Sequence, residues 1–177
     1  MQVNSSTASQ LALLRRIRIA LALFILGLAL SGLTAIPLET EMHSLLQLLH
    51  IDPAQPQTNP LFAWLATIYR ALLDTNTRYP FLAYGYDWLA FGHLIIALAF
   101  LGAWRDPVRN RWLFDFGLLA CALVIPFALL MGPLRGIPFP WRLIDCSFGI
   151  FGAIPLLLAR RWTHQLSQLT TDHRPLF

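Results

Sequence analysis

Apolar residues in this chain gather into long unbroken runs, with only one region showing a helical periodicity of apolar and polar positions. The first run covers residues 17–36, preceded by Arg15, Arg16 and Arg18 and ended by Pro37. About twenty apolar residues at a rise of 1.5 Å span a hydrocarbon layer about 30 Å thick, so this run predicts a transmembrane helix. Further runs at 84–104, 112–131 and 141–158 predict three more, the last stopped by Arg160 and Arg161. Tyr84, Tyr86, Trp88 and Trp104 bracket the second run, as residues suited to the two membrane–water boundaries. Pro126 lies inside the third and predicts a kink, because it removes a backbone donor and crowds the preceding turn. The loop at 132–140 is rich in glycine and proline and predicts no regular structure.

Segment 38–83 has a different pattern. Met42, Leu45, Leu46 and Leu49 recur at helical spacing within 39–50, and Leu61, Trp64, Leu65, Ile68 and Leu72 form a second stripe. Between them Asp52-Pro53-Ala54-Gln55-Pro56-Gln57 marks a turn, and Asn59-Pro60 reads as an N-cap followed by proline at the first helical position. Neither stretch is long or apolar enough to span comfortably. The expectation is two short amphipathic helices lying as a lid over a bundle of four spans, in one all-α domain covering 1–177.

Composition supports a membrane setting. The chain is 56% hydrophobic and 12% charged. A soluble domain with so few charges would expose wide apolar patches, which such proteins rarely tolerate. All 13 basic residues are arginine, and they flank the apolar runs without forming an aromatic-interleaved patch, so no nucleic-acid partner is expected. Placing segments 1–16 and 160–177 in the cytoplasm puts Arg15, Arg16, Arg18, Arg105, Arg109, Arg111, Arg160, Arg161 and Arg174 inside. Only Arg70, Arg78, Arg135 and Arg142 then fall outside, as the positive-inside rule requires. The expected location is a cell membrane, of the bacterial inner-membrane kind, with both termini cytoplasmic and 38–83 outside. A cleaved signal peptide ending at Ala29-Leu30-Ser31 is the rival reading of the first run, whose apolar stretch continues past that site.

Ionisable groups inside spans are costly and usually have a reason to be there. Asp115 lies one turn after Arg111, and an ion pair between them would account for it. Asp87, Arg135, Arg142 and Asp145 are expected near the outer third of the bilayer, with His93 deeper. One reading makes these an ion-pair network, with Arg142 and Asp145 pairing within a turn and His93 donating to a backbone carbonyl or a serine on a neighbouring helix. The other makes them a ligand site for a polar headgroup. Gly149, Gly152 and Ala153 near the face of Asp145 point to a close helix crossing. Cys121 and Cys146 lie at different depths and are expected to remain unpaired. Glu39, His43 and His50 do not complete a metal-ligand pattern, and a haem would require a second His93 from a dimer, so neither metal nor cofactor is expected.

These features predict a binding or accessory protein of the membrane. It would recognise membrane lipid or a lipid-like ligand, or another membrane subunit or second copy of itself, through Asp87, His93, Arg135, Arg142 and Asp145. The alternative is a small enzyme acting on a lipidic substrate, with His93 as acid/base and Asp87 or Asp145 orienting it. A transporter is disfavoured by the lack of internal repeats.

Overall fold

The structure, a computed structural model, describes residues 2–171, and side chains from Thr7 to Thr170. Among the described residues it is helical throughout, with no strand. The helices are α1 (Gln2–Ala35), α2 (Leu38–Leu48), α3 (Pro60–Arg78), α4 (Tyr84–Arg105), α5 (Trp112–Leu134) and α6 (Phe139–Thr171). A single 3-10 turn, Pro80–Ala83, leads into α4. Four segments are long and apolar enough to cross a membrane: Thr7–Ala35, Pro80–Arg105, Trp112–Leu134 and Phe139–Thr170. Phe127, Leu130, Phe148 and Phe151 are each 66–69% exposed on α5 and α6, a surface suited to hydrocarbon and not to water. This is a polytopic helical membrane protein.

Two differences from the sequence reading concern where helices stop. The segment 132–140 is mostly helical: α5 continues through Gly132-Pro133-Leu134 and α6 opens on Phe139-Pro140. Pro140 sits in the first turn, where its missing N–H has no intrahelical partner to lose. Gly136, at φ 68°, closes α5, with Ile137 N–H donating to the Gly132 carbonyl (2.9 Å) and Gly136 N–H to that of Pro133 (3.1 Å). At its other end α6 does not stop with its apolar run at Leu158 but continues to Thr171. Arg174 and the rest of the expected tail beyond it lie outside the described residues. Pro126 is accommodated within a continuous α5.

The chain divides into two compact units: Met1–Gly27 with Ala97–Phe177, and Leu28–Ile96. The first unit is centred on the α5–α6 hairpin. Asp115 meets Arg160, Gly117 faces Leu156, Cys121 faces Gly149 and Gly152, and Gly132 faces Arg142, so partners retreat along α6 as residues advance along α5. Ile17 and Leu21 from α1, Phe100 and Ala103 from α4, and Phe114 and Leu156 fill its core. Phe24 packs on Phe100 with ring centroids 4.7 Å apart. Both cysteines are buried and free, Cys146 directing its thiol at the Ile125 carbonyl (3.9 Å).

The second unit holds α2 and α3. The proposed cap forms: Asn59 Oδ1 accepts from Leu61 N–H at 2.9 Å, with Pro60 next to it. Asp52 makes the turn between the helices by accepting from Ala54 N–H (2.9 Å). Of the expected stripes, Met42, Leu46 and Leu65 are buried, whereas Leu49 and Leu61 face outward. His50 ends α2 at φ 55°, with its N–H bonded to Gln47 and that of Ile51 to Leu46, both 2.9–3.1 Å.

Candidate functional site

Arg135, Arg142 and Asp145 belong to the first unit, and Asp87 and His93 to the second. Arg142 lies one turn into α6. Its stem is drawn into the notch left by Gly132 on α5, where an added Cβ would collide with Arg142 Cγ at 2.6 Å and with Cδ. Its guanidinium stacks over the Phe139 ring, 5.2 Å from the centroid. Arg142 Nε is buried with no hydrogen-bond partner among the described residues.

The expected Arg142–Asp145 pair does not form. Among the described residues the ion pairs are Arg78–Asp74 and Arg160–Asp115. The reason is directional: long side chains on a helix lean toward its N-terminus, which takes Arg142 toward Phe139, three residues back, and away from Asp145. Asp145 is part-buried and Arg135, the C-cap of α5 just before Gly136, is exposed; neither makes a side-chain hydrogen bond or ion pair among the described residues. Asp115 is the second correction. It pairs across the hairpin with Arg160 Nε at 2.8 Å, not with Arg111 along α5. Half-exposed at both ends, this bridge contributes about 0–1 kcal/mol and acts mainly as a register mark.

In the second unit, His93 Nδ1 donates to the Leu89 carbonyl of its own helix, 2.8 Å away. The acceptor is thus one turn back on α4, not a carbonyl or serine of a neighbouring helix. Among the described residues no carboxylate is hydrogen-bonded to it, so the acid/base-plus-orienter arrangement is not assembled there. Asp87 occupies the first turn of α4, where a carboxylate suits the positive end of the helix dipole. The polar chain this unit does build was not anticipated. Tyr86 Oη donates to Asn76 Oδ1 (3.2 Å), and Asn76 Nδ2 donates to Glu39 Oε2 (2.6 Å), tying α4, α3 and α2 together. Glu39 is thus engaged by an amide, while His43 stacks on Tyr69 with centroids 5.6 Å apart. Sequence periodicity carries no sign of this chain, because its members are 37 and 10 residues apart.

A second polar feature of the first unit lies at the other end of the hairpin. Arg111, Leu157, Arg160, Arg161, His164, Gln165 and Gln168 line an open cleft of about 820 Å³. On α6 these recur at helical spacing, a signal that is legible only once α6 is known to continue past Arg161. On the α1 side, Arg18 stacks over Trp104 at 5.2 Å beside a smaller groove of about 330 Å³. No protein-family model matches this chain, and no curated protein or solved structure matches it either.

Proposed function

We propose that this protein is a membrane-embedded binding or accessory protein that recognises a lipid-like ligand or a partner membrane subunit through Arg142. It has both termini in the cytoplasm, in a membrane of the bacterial inner-membrane kind, with α2 and α3 on the outer side. The observation that carries the reading is the state of Arg142: part-buried, stacked on Phe139, unpaired with Asp145, and with Nε lacking an acceptor. A buried donor left unsatisfied costs about 1–3 kcal/mol, and more when charged. An anionic group from outside the chain would remove that cost, whether the phosphate or carboxylate of an amphipathic ligand or an acidic side chain of a partner helix. His93, bonded to its own helix, supports a binding role over a catalytic one.

The test is native mass spectrometry of the full chain released from mild detergent, run beside thermal melts. An anionic amphiphile or a stoichiometric membrane subunit should accompany the parent. Arg142→Gln should lose it while melting within a few degrees of the ligand-free parent. The reading is wrong if the parent carries nothing and Arg142→Gln melts far lower, since Arg142 is then only packing.

A further inference from the structure

The cleft between the start of α5 and the late turns of α6 carries positive charge that nothing in its lining offsets. Asp115 neutralises Arg160 at 2.8 Å. Arg111 and Arg161 remain, and the other lining residues are His164, two glutamines and Leu157, with no carboxylate among them. Arg111 and Arg161 take part in no ion pair among the described residues.

We propose that this cleft binds the headgroup phosphate of an anionic phospholipid, with an acyl chain running past Leu157. Three observations support a lipid as the source of the phosphate. The first is depth. From Phe139 to Arg160 the rise along α6 is about 32 Å, and α5 from Trp112 to Leu134 covers about 33 Å, each one hydrocarbon thickness. The cleft therefore opens at the level of the headgroups, where the 62% exposed Trp112 also sits. The second is the apolar residue in the lining: Leu157 is 53% exposed one turn before Arg161, toward the hydrocarbon-spanning part of α6. A soluble phosphate needs no such apolar neighbour, whereas a lipid does. The third is the mixture of donors. Guanidinium groups suit phosphate oxygens, and the Gln165 and Gln168 amides suit the ester and glycerol oxygens beside them. Basic pockets between transmembrane helices recognise anionic headgroups by this chemistry. The site is at the opposite end of the hairpin from Arg142, and the two readings stand or fall separately.

The experiment titrates the full chain, in a neutral detergent, with three probes: dioctanoyl phosphatidylglycerol, dioctanoyl phosphatidylcholine and inorganic phosphate. Binding is read by the rise in melting temperature and by tryptophan fluorescence. Phosphatidylglycerol should bind saturably and raise the melting temperature, and the other two should not. Removing both free guanidinium groups in Arg111→Gln/Arg161→Gln should weaken binding on the order of thirty-fold, about five-fold for each arginine. Arg105→Gln/Arg109→Gln removes the same charge from the end of α4 and the adjoining loop, outside the cleft lining, and should leave binding within two-fold. Should the cleft double variant not fold, Arg161→Gln alone carries the five-fold test on an exposed side chain. Equal binding of phosphatidylcholine overturns the proposal by removing charge selection. Full competition by inorganic phosphate overturns it in favour of a soluble anion, and equal weakening by the loop variant reduces it to diffuse surface charge.

Discussion

Thr163 is 0% exposed on α6, and its Oγ1 has no hydrogen-bond partner among the described residues. In that position the hydroxyl loses water and gains nothing, so a methyl group of the same shape should be better tolerated. Thr163→Val should therefore stabilise the protein by about 1 kcal/mol, read as a higher melting temperature in detergent. Thr163→Ala serves as the comparison that leaves a void. If the valine variant melts below the parent, the hydroxyl has a partner in solution and its burial is functional. Arg142 is the contrasting case, a cation whose missing acceptor we propose to come from outside the chain. The sequence identified Arg142 as a residue to watch but assigned it the wrong neighbour. Spacing of three residues gives proximity, whereas the lean of the side chain and the Gly132 notch decide which neighbour it meets.

At the scale of elements, the α5–α6 seam depends on the absence of side chains at a few positions. A Cβ at Gly149 would strike the backbone carbonyl oxygen of Cys121, which cannot swing away as a side chain could. Gly27 has nothing within 4 Å of the same atom. Gly149→Ala should accordingly cost about 1–3 kcal/mol by overpacking. Gly27→Ala should be neutral or gain up to about 1 kcal/mol from helix propensity. Chemical or thermal unfolding of the two variants in one detergent compares them directly, and equal stability would mean that the seam is looser than this geometry. The small residues near Asp145 pointed to a close crossing, and there the expectation holds. Which glycine meets which atom depends on hairpin register, which the Asp115–Arg160 pair marks and which only the packed hairpin reveals.

For the whole molecule, the orientation proposed from the distribution of arginines can be checked by labelling. An impermeant thiol reagent applied to intact cells should modify a cysteine placed at Gln55, between α2 and α3. It should spare one at Val108, 43% exposed between α4 and α5. Cys121 and Cys146 are buried and contribute little background. Labelling at Val108 with protection at Gln55 would invert the topology and move the Arg111–Arg161 cleft to the outer leaflet.

The sequence by itself determined the membrane setting, the four spans, the two amphipathic helices with the Asn59 cap, and the free cysteines. These follow from local quantities: length of apolar run, helical periodicity, and turn or cap chemistry within a few residues. Tertiary structure alone decided the partners of Asp115, Arg142, Glu39 and Asn76. It also decided that α6 continues past its apolar run to bring His164, Gln165 and Gln168 beside Arg111. Hydropathy records where a helix leaves the hydrocarbon but not where it ends. A polar contact 37 residues apart along the chain, such as Asn76 to Glu39, exists only once packing has fixed which faces meet.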